Sequence, residues 1–252
     1  MNILITNDDG IHAPGLLALY RSLRPEHSVF VVAPEVEQSA VGHAITLTDP
    51  IRVKEIHTDG EFFGYSVKGT PADCVKLALA ELLKNPPDAV ISGINLGANV
   101  GINLLYSGTV SAATEAAVLN LPSLAVSLDT FNNPDFSYAA EFTRSLVEKL
   151  PKLKIPRGVS LNINIPSLPR GQIKRVAWVR QGQTVANENF IRRKDPRGNV
   201  YYWQGQEALP PRMEEDTDMN LLRDGVITIT PIKHDLTHFD ELSRLSKYPI
   251  AP

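Results

Sequence analysis

MNILITNDDG, residues 1–10, joins a short apolar run directly to two adjacent aspartates. Residues 2–6 are rich in isoleucine and leucine, and the run is too short for a core helix, so we predict a buried β-strand. It ends at once in Asn7, Asp8, Asp9 and Gly10. In open parallel sheets, ligands bind beyond the carboxyl ends of the strands. The segment therefore predicts a strand of such a sheet and places a candidate site at its end.

Downstream, short β-branched runs alternate with helical patterns, which predicts βαβ units and a mostly parallel sheet. The helix that begins at Thr70 has a strong start signal, with proline at its first position and Asp73 three residues after the cap. Residues 44–67 hold short alternating runs broken by turns, so we expect an antiparallel excursion there. The predicted strands are 2–6, 28–33, 88–92, 123–127 and 160–165, and the predicted helices are 14–23, 70–83, 109–119 and 138–150.

The pattern changes beyond residue 172. We predict strands at residues 173–180 and 200–204, on either side of the charged segment 192–198, and a further strand at residues 224–230. Clear helical periodicity is missing until the last residues. We predict an α/β domain over residues 1–180, followed by a C-terminal hairpin and tail over residues 181–252 that packs partly on it. A projecting hairpin exposes apolar side chains and unpaired strand edges, which a second subunit would cover.

The composition excludes several classes of protein. The 252 residues carry a net charge of −3, without the basic excess of a nucleic-acid binder, so we expect no stable nucleic-acid partner. A single cysteine, Cys74, excludes an intrachain disulfide and favours a reducing compartment. No apolar stretch approaches the roughly 20 residues that span a membrane, and the amino terminus lacks the pattern of a signal peptide. We expect a cytoplasmic protein without a membrane partner.

Asp8 and Asp9 are the first candidate site residues. Two adjacent carboxylates repel each other unless a positive group neutralises them, and hard oxygen ligands suit Mg²⁺ or Mn²⁺. The simpler interpretation is a turn in which one aspartate caps the next helix. Their position at the end of a strand, beside two other polar loops, favours the metal site.

Those two loops follow the second and third predicted strands. In the first, residues 35–42, the Ser39 hydroxyl is a candidate further metal ligand, and the neighbouring Gly42 and His43 are candidate phosphate contacts. The second, residues 93–108, is rich in glycine and asparagine, which allow close backbone approach to an anion and offer amide donors and carbonyl ligands. We predict that Asn7 and Asn99 contact substrate. Asp8, Asp9 and Asn95 are the predicted catalytic residues, and the amide oxygen of Asn95 is also a candidate metal ligand.

Residues 106–109, Tyr-Ser-Gly-Thr, open an alanine-rich helix. Hydroxyls and free N–H groups at a helix N-terminus form a natural phosphate site, so Ser107, Gly108 and Thr109 are predicted to hold phosphate. The alternative is a helix cap at Thr109 and nothing more. The glycine spacing matches neither the dinucleotide-binding fingerprint nor a P-loop, which disfavours nicotinamide enzymes and P-loop enzymes.

Seven segments, taken in order, closely resemble the SurE (survival protein E) family. The resemblance lies in their order and spacing, since each alone is weakly specific. They are TNDDG (6–10), VAPEVEQSAVG (32–42), GTPADCV (69–75), SGINLGANVG (92–101), YSGTVSAATE (106–115), NINIP (162–166) and TPIKHDLT (230–237).

The resemblance implies a Rossmann-like three-layer α/β/α domain that hydrolyses nucleoside 5′- and 3′-monophosphates, with some members also shortening polyphosphate. It also implies one Mg²⁺ or Mn²⁺ per subunit, held by Asp8, Asp9, Ser39 and Asn95, and dimers or tetramers joined through the C-terminal region. A haloacid-dehalogenase-like phosphatase is the alternative enzyme, although such enzymes space their aspartates as Asp-x-Asp. The non-enzymatic alternative is a nucleotide-binding regulatory module.

Overall fold

A nine-stranded, mostly parallel sheet forms the middle of the molecule in this computed structural model, which describes residues 1–183, 189–205 and 215–248. Its strands are β1 (Asn2–Thr6), β2 (Ser28–Pro34), β3 (Arg52–Thr58), β4 (Glu61–Lys68), β5 (Ala89–Leu96), β6 (Ser123–Asp129), β7 (Val159–Pro166), β8 (Val176–Trp178) and β11 (Ile227–Lys233). They lie in the order β3-β4-β2-β1-β5-β6-β7-β11-β8. The two antiparallel pairs are β3 with β4 and β11 with β7.

Helices cover both faces of the sheet. They are α1 (Pro14–Leu23), α2 (Pro71–Leu77), α3 (Gly108–Val118), α4 (Ser137–Val147), α5 (Leu150–Leu153), α6 (Asp218–Arg223) and α7 (Phe239–Leu245). Alternation along β1 shows the layering: Ile3 and Ile5 pack in the core beneath α1 and α4, whereas Leu4 packs in the core beneath α2 and α3. None of the helices in the described parts of the chain has the length and apolarity needed to cross a membrane.

The sequence predicts this arrangement well over its first two thirds. The α/β class, the mostly parallel sheet and the three layers are confirmed. The Thr70 side chain accepts the Asp73 N–H at 3.1 Å, and Asp73 accepts the Thr70 N–H at 2.9 Å, so the predicted helix start is present as a complete capping box. That helix continues past α2 as a π-helical turn over Ala78–Leu82. Residues 44–67 contain the expected antiparallel pair.

The C-terminal part departs more from the prediction. The charged segment is not only a connection, because β9 (Phe190–Lys194) contains its first residues and pairs with β10 (Val200–Gln204) in a separate two-stranded ribbon. Helix α6 was not predicted, since six residues are too few for a readable helical period. Strand β11 lies beyond residue 180 yet belongs to the main sheet. Within the predicted C-terminal hairpin and tail, residues 184–188, 206–214 and 249–252 lie outside the described residues.

Candidate functional site

A cleft of about 340 Å³ lies at the carboxyl ends of β1 and β5, where the sequence places its polar loops. Six of the predicted site residues line it: Asp8, Asp9, Ser39, Asn95, Asn99 and Ser107. The loops are tied to one another by the main chain. The Gln38 N–H donates to the Asp8 carbonyl at 2.7 Å, and the Gly42 N–H donates to the Tyr106 carbonyl at 2.9 Å. The three segments therefore form one site.

Asp8 is held by the start of helix α3. It is 6% exposed, and its Oδ1 accepts a hydrogen bond from the Thr109 hydroxyl. Burial raises the pKa of Asp8, while the hydroxyl and backbone N–H of Thr109 act in the opposite direction. The hydroxyl predicted to hold phosphate is thus already bound to a carboxylate, and Thr109 itself is fully buried.

Ser107 and Gly108 complete the start of the helix. Ser107, rather than Thr109, is its cap, and its Oγ accepts the Val110 N–H at 3.1 Å. A Cβ placed on Gly108 would lie 2.7 Å from the Cβ of Asp8 and 2.9 Å from its Oδ2. The helix N-terminus reaches the carboxylate because residue 108 has no side chain. The positive end of the helix dipole therefore acts on Asp8.

Acidic side chains are concentrated in this cleft. Burial raises the pKa of Asp9 to about 7, and the neighbouring charges of Asp8 and Glu37 add to the shift. Among the described residues that line the cleft there is no lysine, arginine or histidine. Two adjacent carboxylates whose pKa values are both raised form a site that a bound cation would stabilise.

The available donor atoms fit a hard divalent cation. Asn95 lines the cleft, and its Nδ2 donates to the Gly97 carbonyl at 2.8 Å, which leaves its Oδ1 available as an acceptor. Ser39 is exposed, and its hydroxyl donates to Glu37. No group of three or more histidine, cysteine, aspartate or glutamate side chains suited to a metal occurs in the described residues. A cation held by Asp8 and Asp9 would be completed by neutral oxygen donors and water, as Mg²⁺ and Mn²⁺ accept.

Comparison with known proteins gives a single consistent result. A family model described as "Survival protein SurE" matches residues 3–188. A protein of Syntrophobacter fumaroxidans named "5'-nucleotidase SurE" is 54% identical over 248 residues, which are 98% of this chain and 99% of that protein. This chain belongs to the SurE family.

A second relative, the "5'-nucleotidase SurE" of Syntrophus aciditrophicus, is 52% identical over 246 residues, covering 97% of this chain and 92% of the relative. The crystal structure of the SurE protein from Aquifex aeolicus superposes with a TM-score of 0.86 at 38% identity, covering 98% of this chain and 99% of that one. The α/β architecture is therefore that of the SurE fold over nearly the whole chain.

The other predicted residues of this SurE site lie around the cleft rather than on its surface. Asn7 is fully buried, its Nδ2 donates to the Gly10 carbonyl at 3.0 Å, and its Oδ1 has no partner within the described residues. The Nε2 of His43 lies 2.7 Å from Oε2 of Glu115. His43 lines a second cavity of about 220 Å³, and Ser107 lines both this cavity and the cleft. His43 is therefore not among the residues that the structure brings to the acidic pair.

Sequence reasoning missed several residues of the site. Glu37, Asn103 and Phe131 also line the cleft. Two asparagines of β7 hold its glycine-rich loop from below: Asn164 accepts the Asn99 N–H at 2.7 Å, and Asn162 donates to the Asn99 carbonyl at 2.8 Å. The sequence does contain a signal for them, since two asparagines alternate with isoleucines in a predicted buried strand. Buried polar side chains need hydrogen-bond partners, so these two could have been predicted to hold a neighbouring loop.

Proposed function

We propose that the chain is a divalent-metal-dependent phosphatase that hydrolyses nucleoside 5′-monophosphates to nucleoside and phosphate. The observation that carries this proposal is a cleft lined by Asp8, Asp9 and Glu37 without a basic side chain among its described residues, beside a helix N-terminus. A phosphate enters such a cleft together with a cation, since carboxylates alone repel it. The names of the two relatives support the nucleotide as substrate.

One Mg²⁺ or Mn²⁺ would be held by Asp8, Asp9, Ser39 and Asn95. When bound, the ion supplies charge to neutralise the phosphate oxygens and lowers the pKa of an attacking water. The donor set supports this assignment, because two aspartates, a serine and an asparagine line one cleft. Thr109 keeps the Asp8 carboxylate oriented through its hydroxyl.

The phosphate oxygens that face away from the metal would be held by α3 and the loop before it. The Ser107 hydroxyl and the N–H of Gly108 lie at the helix N-terminus beside Asp8, where an anion is favoured. Asn99 lines the same cleft. These donors stabilise negative charge as the bond to the leaving oxygen lengthens.

Every contact to the substrate in this proposal, direct or through the metal, is made to its phosphate group. The same site would therefore accept nucleoside 3′-monophosphates and the terminal group of short polyphosphates, as the family resemblance implies. We also propose that the active form is a homodimer or homotetramer joined through the C-terminal region. A cytoplasmic location fits a chain whose single cysteine, Cys74, is buried and free.

Phosphate release tests the proposal directly. Nucleoside 5′- and 3′-monophosphates and short polyphosphates are assayed with Mg²⁺, Mn²⁺ or excess chelator. We expect turnover only with added metal, and we expect Asp8→Asn and Asp9→Asn each to lower kcat/KM about 100-fold or more, because each removes a charged metal ligand. Asp129→Asn is the matched control, since Asp129 ends β6 at the same edge of the sheet but does not line the cleft.

The assay also separates the alternatives. Turnover in excess chelator, or near-normal rates in both aspartate variants, would contradict the metal assignment. Nucleotide binding without phosphate release under any metal condition would support a regulatory module instead. A haloacid-dehalogenase-like enzyme is no longer favoured, because the chain matches the SurE family model over residues 3–188.

A further inference from the structure

A buried carboxylate from the C-terminal part of the chain reaches the glycine-rich loop of the cleft. Asp218 is the first residue of α6 and is 0% exposed. Its Oδ2 accepts the Gly101 N–H at 2.9 Å. Its Oδ1 accepts the N–H groups of Gly182 and Met219 at 2.9 and 2.8 Å. Both oxygens therefore bind backbone donors, and one of those donors belongs to the loop.

The same carboxylate lies where the chain leaves for the β9–β10 ribbon and returns from it. Gly182 precedes the ribbon and Asp218 follows it. The Asp218 N–H donates to the Arg180 carbonyl at 3.0 Å, and Arg180 Nη2 lies 2.9 Å from Oδ1 of Asp216. The two ends of the ribbon segment thus meet at Asp218.

Gly101 lies between two residues that line the cleft, Asn99 and Asn103. Its carbonyl also accepts a bond from Gln181 Nε2 at 2.8 Å, so both backbone groups of residue 101 are held from the C-terminal side. Asn99 is held separately by β7 through Asn164. With both points fixed, the loop presents its asparagines in one geometry, which an enzyme needs for transition-state contacts.

Burying a carboxylate is unfavourable unless its oxygens are fully hydrogen-bonded. Burial raises the pKa of Asp218, whereas the N–H groups of Gly101, Gly182 and Met219 lower it. The Asp218 carboxylate accepts hydrogen bonds from three backbone N–H groups at once. An asparagine could not accept all three, because its terminal NH₂ group is itself a donor.

We propose that Asp218 is a positioning residue of the cleft, which fixes the glycine-rich loop through Gly101 and joins it to the base of the ribbon. The inference rests on the proposed function for its catalytic consequence. Its structural part does not depend on turnover.

The test compares Asp218→Asn with Asp216→Asn. Both variants remove one carboxylate charge at the base of the ribbon, but Asp216 is exposed and its carboxylate accepts hydrogen bonds from Arg180 rather than from the loop. For Asp218→Asn we expect kcat for a nucleoside 5′-monophosphate with Mn²⁺ to fall about tenfold. We expect a smaller change in KM, because Ser107 and Gly108 are not held by Asp218. Asp216→Asn should retain the wild-type kcat.

Amide hydrogen exchange followed by NMR gives a readout independent of activity. We expect the Gly101 amide to exchange faster in Asp218→Asn than in the wild-type protein and in Asp216→Asn. If Asp218→Asn fails to fold, Gln181→Ala is the second variant, since it removes the other bond to Gly101 without a buried charge. There we expect kcat to fall about threefold.

Two results would overturn the proposal. One is unchanged kcat and unchanged Gly101 exchange in Asp218→Asn, or in Gln181→Ala if that variant has to be used. The other is an equal loss of kcat in Asp218→Asn and Asp216→Asn that parallels their loss of Tm.

If the wild-type protein releases no phosphate, the proposed function fails, and exchange at Gly101 together with Mn²⁺ titration still decides the positioning role. Asp218→Asn must then bind Mn²⁺ more weakly than Asp216→Asn, because Asn95 is tied to the loop at Gly97.

Discussion

Single side chains at the start of α3 determine how the acidic pair is presented. Thr109 gives its hydroxyl to Asp8, and Ser107 caps the helix. We expect Thr109→Val to lower kcat about tenfold, because the isosteric change removes the donor that orients the carboxylate. Thr109→Ser keeps the hydroxyl and should retain most of the activity. Steady-state kinetics measures both, and equal rates in the two variants would show that the hydroxyl is not needed.

Ser107→Ala separates capping from phosphate binding in the same helix. Loss of the cap should lower the free energy of unfolding by about 1 kcal/mol. If the hydroxyl also contacts phosphate, KM for the nucleotide rises as well. Thermal unfolding and kinetics on the same preparation distinguish the two roles, and a change in stability alone would leave Ser107 as a cap.

Glu115 is a charged residue buried on α3, where Nε2 of His43 lies 2.7 Å from its Oε2 and Nζ of Lys76 lies 3.3 Å from its Oε1. The hydrogen bond from His43, followed by that from Lys76, holds the pKa of Glu115 below its ordinary value of 4.5. A lowered carboxyl pKa contributes stability above the unfolded pKa, and this contribution is lost as the pH falls through the folded pKa.

We therefore expect Glu115→Gln to lower the free energy of unfolding at pH 7 by about 1 kcal/mol, a modest value because both partners are partly exposed. The difference from the wild-type protein should shrink as the pH falls below 4.5. Denaturant unfolding across pH 3 to 7 measures it. Glu141→Gln is the control, since its pair with Arg170 is exposed and should contribute little. A difference that grows toward low pH would contradict the assignment.

At the scale of elements, the sequence predicts well wherever a strand or helix is long and buried on one side. The apolar runs of β1, β2, β5 and β6 and the caps of α2 were readable because burial and capping leave local patterns. Strand β5 runs four residues further than predicted, to Leu96. The register of its pairing with β6 shifts between Ser92 and Asn95, and Gly93 at that point interrupts the apolar run by which the strand was recognised. That extension puts Asn95 on a strand end rather than in a free loop.

The sequence did not predict the other features, because they depend on contacts between residues that lie far apart in the chain. The pairing of β11 between β7 and β8 brings together residues far apart in the chain, and no local pattern encodes it. The hydrogen bond from the Gly101 N–H to the Asp218 carboxylate joins residues 117 positions apart in the chain. The roles of Asp8, Asp9, Ser39 and Asn95 as metal ligands stay predictions, although the structure does bring these four side chains to one cleft.

The close approach of α3 to Asp8, in the loop that follows β1, depends on one missing side chain. We expect Gly108→Ala to lower the free energy of unfolding by about 1–3 kcal/mol and to reduce kcat, because its Cβ would overlap Asp8 and push the helix start away. Gly171→Ala is the control, since no atom lies within 4 Å of the Cβ it would add. Chemical unfolding and kinetics test both variants, and wild-type behaviour of Gly108→Ala would refute the tight contact.

At the scale of the whole molecule, the β9–β10 ribbon carries a group of exposed apolar side chains. Phe190, Tyr202 and Trp203 are 56%, 59% and 64% exposed. We expect the intact protein to sediment as a dimer or tetramer at micromolar concentration, because association buries this surface and the ribbon's free edges. A variant in which residues 189–205 are replaced by a short Gly-Ser linker should shift toward the monomer.

Analytical ultracentrifugation measures both proteins. Tyr202→Ser/Trp203→Ser is the matched milder variant, because it leaves the backbone of the ribbon in place. A monomeric intact protein would contradict the proposed assembly, and an unchanged oligomer without the ribbon would move the interface to another surface.

The antiparallel insertion of β11 beside β7 sets an order of events during synthesis of the chain. Strand β7 is complete at residue 166, but its outer neighbour is made only when residues 227–233 have been translated. Until then β7 is an unpaired edge built of buried isoleucine and asparagine, the kind of edge that recruits other chains. Asp218 is also translated only after β7 is complete. A nascent chain stalled before residue 218 would thus hold the acidic pair without a completed sheet or a secured loop, and would need a chaperone more than the finished protein does.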